Sequence, residues 1–95
     1  MTAALTSRTA QIRAVRELQT HKDYAFLSRR LVYRLTSPFG FVCEIHHIKT
    51  AGRLINGRNA PEVALEICKH LGITRNFGCL HECCDALLAH LGAAS

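Results

Sequence analysis

The stretch of sequence that decides the fold lies at residues 44–70 and reads EIHHIKTAGRLINGRNAPEVALEICKH. Residues 39–48, which lead into it, are rich in aromatic and β-branched side chains, a composition typical of a strand. Ala51-Gly52 predicts a turn, residues 53–55 predict a short return strand, and Asn56-Gly57 predicts a second turn. Alternation along the first strand predicts two faces: Phe41, Cys43, Ile45 and His47 on one, and Val42, Glu44, His46 and Ile48 on the other. We therefore expect a β-hairpin at the centre of the chain.

Helices are predicted on both sides of this hairpin. Asn59 starts a helix in the manner of an N-cap, with proline tolerated in the first turn, and Gly72 is a typical C-terminal stop. A last helix is predicted over residues 76–91, because apolar residues recur there at helical spacing. The same spacing predicts helices over residues 7–20 and 23–36, the second with the aspartate at its start as the cap. The expected fold is α+β and mostly α, in the order α-α-β-β-α-α: two N-terminal helices, a short β-hairpin and two C-terminal helices.

The composition limits the class of protein. With 95 residues, of which 48% are hydrophobic, the chain is long enough for a single small domain, residues 1–95. No apolar run approaches the roughly 18 residues that a membrane-spanning helix needs, and the N-terminus lacks the pattern of a signal peptide. The five cysteines are odd in number and irregularly spaced, which is a poor disulfide framework and fits a reducing compartment. We therefore expect a cytoplasmic protein that has no membrane partner.

The charge is unevenly distributed along the chain. Residues 1–58 carry ten Lys or Arg against three Asp or Glu, a net charge of +7, whereas residues 59–95 carry two against four, a net charge of −2. A basic half predicts a polyanionic partner, nucleic acid first and an acidic protein surface second, although a solvated basic face without a partner is an alternative. The candidate contact residues are the arginines of the first two predicted helices: Arg13, Arg16, Arg29, Arg30 and Arg34.

Within the central stretch, His46-His47, Asn59 and His70 stand at positions that resemble the ββα unit of the HNH endonuclease family. Such an endonuclease needs a metal ion, such as magnesium, to stabilise the leaving oxygen, and a neutral histidine to activate water. The resemblance implies that His46 and His70 are metal ligands. It also implies that His47 is the general base and that Asn59 orients it. The resemblance covers residues 44–70 alone.

An overlapping stretch, residues 66–76, resembles the first helix and turn of a helix-turn-helix DNA-binding protein. The resemblance implies that Gly72 permits the turn and that Thr74-Arg75-Asn76 opens a recognition helix for the major groove. The sequence that follows carries Glu82 and Asp85 and has no Lys or Arg, so its charge opposes contact with phosphates. The arginine-bearing first two helices are therefore the better candidates for nucleic-acid contact.

The cysteines offer a third kind of site. Cys79 and Cys83 lie one turn apart on the last predicted helix, and Cys68 and His70 lie on the helix before it, a set from which a zinc site can be built. Buried cysteine acting as a small hydrophobic residue is the alternative.

On balance, the sequence favours a small basic protein of a bacterial or phage type that binds nucleic acid or a nucleic-acid-handling protein, with no cofactor that is certain, over an enzyme. One alternative is an HNH-like endonuclease with zinc or magnesium. Another is a protein-interaction or inhibitor module, or a homodimer, that uses the apolar face of the last helix.

Overall fold

The computed structural model describes residues 8–93, and for Ile48 and Thr50 it describes the backbone alone. The elements are α1 (Arg8–Gln19), β1 (Phe26–Ser28), α2 (Arg29–Thr36), a 3-10 turn (Ser37–Phe39), β2 (His46–Thr50), β3 (Arg53–Asn59), α3 (Ala60–His70) and α4 (Leu80–His90). The predicted class, α+β and mostly α, is confirmed, and the predicted order gains the short strand β1. Position 7, where the first helix was expected to begin, lies outside the described residues.

The three strands form one antiparallel sheet in the order β1-β3-β2. The predicted turn at Ala51-Gly52 is confirmed, because the strands on either side pair from Thr50 with Arg53 onwards. Both turn residues have positive φ, 50° and 76°, and two-residue turns of that hand match the twist of paired strands. The hairpin is therefore formed where the sequence predicted it.

The second predicted turn, at Asn56-Gly57, is wrong, because both residues lie inside β3. Gly57 pairs with Ser28 on one side and with His46 on the other. A Cβ atom at this position would lie 1.9 Å from the carbonyl oxygen of Leu27. Glycine is required here by the close approach of two backbones and not by a turn.

The second helix begins later than predicted. Asp23 does not cap it. The N-cap of α2 is Ser28, whose hydroxyl accepts a hydrogen bond of 3.2 Å from the N–H of Leu31. The chain before it makes a turn, closed by a 2.9 Å hydrogen bond from the Ala25 N–H to the Lys22 carbonyl, and then enters β1. Residues Phe26–Ser28 therefore form a strand that pairs with β3, although their apolar spacing alone favours a helix.

The first strand of the hairpin is shorter than predicted, since regular pairing begins at His46 and residues 40–45 belong to no strand. The expected alternation of burial nevertheless holds through that segment. Cys43 is buried, Phe41 and Ile45 are half-buried, and Val42 and Glu44 are exposed.

The third helix agrees with the prediction at both ends. The side-chain oxygen of Asn59 accepts a 3.2 Å hydrogen bond from the N–H of Glu62, which makes Asn59 the N-cap of α3. Gly72 has a φ of 81° just beyond the helix, a conformation that favours glycine. The last helix starts at Leu80 and not near Asn76. Just before it, the N–H of Gly78 donates a 3.1 Å hydrogen bond to the Glu82 carboxylate.

The core lies between the helices, with the sheet on one side. Each helix contributes fully buried side chains, of which the largest are Leu18, Leu35, Ile67, Leu80 and Leu87. None of the helices in residues 8–93 has the length and the apolar character required to span a bilayer.

Candidate functional site

An open cleft of about 350 Å³ lies between α2 and the hairpin. Its walls come from α2, from the extended segment at residues 42–45 and from the facing strands β2 and β3. The polar side chains that line it are Arg29, Tyr33, Glu44, His47 and Asn56. A concave site in which a few polar groups converge is the first place to look for a ligand.

The floor of the cleft includes a cross-strand pair, His47 and Asn56. Both side chains are exposed, and alternation along the strand puts Lys49 on the same face as His47. Lys49 is exposed as well. The hairpin therefore presents an imidazole, an amide and an ammonium group along one face.

The opposite wall is the exposed side of α2. Arg29 and Tyr33 lie one helical turn apart there, while Val32 and Leu35 on the other side of the helix are buried. Among the residues that the structure describes, no carboxylate forms an ion pair with Arg29. Its charge is therefore available to a ligand, and Glu44 brings one carboxylate to the same cleft.

Behind the cleft, Cys43 is held by Arg58. The guanidinium of Arg58 donates a 3.3 Å hydrogen bond to the Cys43 sulfur and lies 3.5 Å from a carboxylate oxygen of Glu62 and 3.6 Å from one of Glu66. Burial raises the pKa of the Cys43 thiol, and the nearby charge of Arg58 opposes this shift without cancelling it. The thiol therefore keeps its proton near neutral pH. Cys43 and Arg58 support the wall of the cleft.

The five arginines predicted to bind nucleic acid do not have equal freedom. Arg34 donates two 2.7 Å hydrogen bonds to the carboxylate of Glu17 on α1, so its charge is already paired. Arg13 lines a groove beside that pair. Arg16 and Arg30 are exposed, and Arg29 is the member of the set that lines the cleft.

The residues of the HNH resemblance lie within one ββα unit, β2–β3–α3, but their side chains have separate roles. His46 and His47 are adjacent on β2, so they project to opposite faces of the sheet. Asn59 caps α3, and His70 stacks on Phe41 with ring centroids 4.7 Å apart. Residues 8–93 contain no group of three or more His, Cys, Asp or Glu side chains that could hold a metal ion. The arrangement does not fit the magnesium or zinc ion that the resemblance implies.

The two alternative zinc ligands, Cys79 and Cys83, differ in their exposure to solvent. Cys79 is exposed at the N-terminus of α4, whereas Cys83 is buried and lies 3.3 Å, sulfur to sulfur, from Cys68 of α3. Thr74-Arg75-Asn76, which the helix-turn-helix resemblance implies as a helix start, lie in the connection between α3 and α4.

The apolar stripe of the last helix is buried in the core at Leu80, Cys84, Leu87 and Leu91, so this face is not available to a partner.

Sequence reasoning missed Tyr33 and Asn56 as residues of the cleft. The signal for Asn56 was present, because a two-residue turn at Ala51-Gly52 fixes the register that places it opposite His47.

The chain matches no protein family, no curated protein and no solved structure.

Proposed function

We propose that this protein binds nucleic acid through the cleft face, a surface made of Arg29, Tyr33, His47, Lys49 and Asn56. The observation that carries the proposal is the meeting of an unpaired guanidinium from α2 with the polar face of the hairpin at one open cleft. A nucleic-acid strand offers the groups that match this surface, because its phosphates bind cations and its bases contact an amide and an aromatic ring.

Charge complementarity is the mechanism of this binding. The basic half of the chain, with its net charge of +7 over residues 1–58, contains all five residues of the cleft face. Each cation that neutralises a phosphate releases a condensed counterion, so affinity falls as salt rises. With Arg29 and Lys49 in contact with phosphates, the slope of log K against log salt is about −2.

The proposal is for binding and does not extend to hydrolysis. The ligand set that a metal-dependent endonuclease needs is not assembled, since His46 and His47 face opposite sides and Asn59 is engaged as a helix cap. A plasmid-nicking assay with Mg²⁺ or Mn²⁺ tests this directly. Nicking that disappears in His47→Ala would replace the proposal with the endonuclease, whereas the absence of nicking beside measurable binding supports it.

Fluorescence anisotropy with a labelled duplex and a labelled single strand of the same sequence tests the binding itself. We expect Arg29→Gln to weaken binding several-fold and to reduce the salt slope by about 1. The matched control is Arg16→Gln, which removes the same charge from an exposed position on α1 and leaves the slope unchanged.

Equal effects of the two substitutions would show that net charge, and not the cleft face, drives binding. No binding to either oligonucleotide at low salt would overturn the proposal. If poly-glutamate binds with the same dependence on Arg29, an acidic protein surface is the partner instead. A cytoplasmic location, which the free thiols of this chain favour, belongs to the same proposal.

A further inference from the structure

Two buried thiols face each other where α3 packs against α4. Cys68 of α3 and Cys83 of α4 are 1% and 3% exposed, and their sulfur atoms lie 3.3 Å apart. The contact between the two thiols is the only hydrogen bond between side chains of α3 and α4 in the described part of the chain. The pair joins two elements of the core that are otherwise held together by apolar packing.

The geometry is close to that of a covalent link. A disulfide requires a sulfur–sulfur distance of about 2.05 Å, so the two atoms must approach by about 1.3 Å in total. That movement is shared by two side chains that already point at each other. The helices α3 and α4 already pack against each other.

The two thiols share a hydrogen bond in which either sulfur can be the donor. When one of them is ionised, the other donates to the thiolate and stabilises it. Thiolates and not thiols attack oxidants, so this contact favours the form that reacts.

A route for a small oxidant leads to the pair. Cys83 lines a cavity of about 180 Å³ at the start of α4, and the exposed Cys79 stands at the same cavity. Hydrogen peroxide is small enough to enter such a space. Cys84, the next residue along the helix, has no thiol partner, and burial raises its pKa to about 12. It is therefore a poor target for the same oxidant.

We propose that Cys68 and Cys83 are an oxidation site that forms a reversible disulfide between α3 and α4. The thiolate of one residue of the pair attacks one oxygen of hydrogen peroxide, which gives a sulfenic acid and hydroxide, and the hydroxide takes the proton of the other thiol. The second sulfur then attacks the first and expels hydroxide, which combines with the proton that the first thiol released. In sum, two thiols and one peroxide give one disulfide and two waters. A dithiol reductant reverses the reaction by thiol–disulfide exchange.

The disulfide ties the last helix to the rest of the core. It closes a loop between positions that are 15 residues apart, and loops of that length restrict the unfolded chain appreciably. We expect the oxidised protein to melt on the order of 10 °C higher than the reduced protein.

Thiol counting and peptide mapping of the full chain test the proposal. Peroxide treatment of the native protein is expected to lower the count of free thiols from five to three, that is, five minus the two that are joined. Trypsin cuts after Arg58, Lys69 and Arg75, so residues 59–69 carry Cys68 as their one cysteine. That peptide should be found linked to residues 76–95 before reduction and free after it.

Variants assign the link within residues 76–95, which hold three cysteines. Cys83→Ala and Cys68→Ala should lose both the linked peptide and the rise in melting temperature on oxidation. Cys84→Ala, a matched buried control, should keep both. Each variant is compared with its own reduced form, so a change in its basal stability does not affect the result. Five thiols that remain free in oxidised native protein, or a link that persists in Cys83→Ala, would overturn the proposal.

Discussion

The α3–α4 pair and the β2–β3 hairpin each join two neighbouring elements. Buried side chains hold the two helices together, whereas backbone hydrogen bonds hold the two strands. Each of the two helices buries five side chains, all of them aliphatic residues or cysteine. In the hairpin, by contrast, His46, His47, Lys49, Arg53, Leu54 and Asn56 are exposed. Its strands are paired through their backbones, and Gly57 lets the central strand lie close to its neighbours.

The residues that stabilise the fold are therefore different from the residues that are free to bind a ligand. Burial of apolar side chains is the main favourable term in folding, so the helical pair supplies much of the stability of this chain. Exposed polar side chains on a regular strand contribute little to that term, but they are positioned by the register and free to contact a ligand. The exposed side chains of the hairpin can therefore be substituted with little effect on folding, whereas the buried side chains of the helical pair cannot.

The largest expected effect tests this separation directly. Leu87→Ala removes a fully buried side chain of α4 and is expected to lower the free energy of unfolding by about 2–5 kcal/mol. Leu54→Ala makes the same chemical change at a hairpin position that is 68% exposed, and is expected to change it by less than about 0.5 kcal/mol. Urea unfolding followed by circular dichroism measures both. Similar losses in the two variants would contradict the comparison.

A second substitution asks how the hairpin is anchored. Gly57→Ala places a Cβ atom on the carbonyl oxygen of Leu27, a backbone atom that cannot move alone, and is expected to cost about 1–3 kcal/mol. Gly78→Ala is the control, because the nearest atom there belongs to the flexible Glu82 side chain. Equal unfolding free energies for the two variants would show that β1 is not tightly held against β3.

Sequence reasoning succeeded where burial imposes a clear period. Apolar residues at helical spacing predicted the last helix, and three of the residues with that spacing, Leu80, Cys84 and Leu87, are buried in the core. The cap at Asn59 was also predictable, because a side-chain oxygen bonded to the backbone is a local event. Local bonding and helical burial are properties that a single sequence reports directly.

Sequence reasoning failed where pairing between distant segments decides the structure. Leu27 has the spacing of a helical residue, yet it lies in β1 because it pairs with Arg58, 31 positions further on. Gly57 looks like a turn residue for the same reason, since its neighbours in space are unknown from the sequence. The cleft face joins α2 to the hairpin through such pairing, so Tyr33 had no local signal that marked it as part of the site.

The buried thiols predict a dependence of stability on alkaline pH. Burial raises the pKa of Cys84 to about 12, and it also raises the pKa of Cys43. Above pH 9 the unfolded chain releases thiol protons that the folded chain keeps, so stability is full below the unfolded pKa and falls as pH rises towards the folded one. With reductant present, each such thiol contributes a loss of up to about 1.4 kcal/mol per pH unit.

Urea unfolding at about pH 8 and about pH 10 measures this slope. Cys84→Ala removes one of the raised groups, and we expect its stability to fall less steeply than that of the parent between the two pH values. Cys79→Ala is the matched control, because it removes an exposed thiol. A slope that Cys84→Ala leaves unchanged would show that this thiol ionises in the folded protein as readily as in the unfolded chain.

The smallest expected effect concerns the charge pair on the helical side. Arg34 and Glu17 are partly exposed, with side chains 61% and 33% accessible, so Glu17→Gln is expected to cost less than about 1 kcal/mol in the free energy of unfolding. The same substitution is informative about nucleic-acid binding, because it frees Arg34 from its ion pair and leaves the cleft face unchanged. If the cleft face is the binding surface, the salt slope stays the same in this variant. If the arginines of α1 and α2 form the surface together, the freed Arg34 contacts a further phosphate and the slope steepens by about 1. Anisotropy titrations at several salt concentrations distinguish the two surfaces, and they do so in a variant whose fold is almost unperturbed.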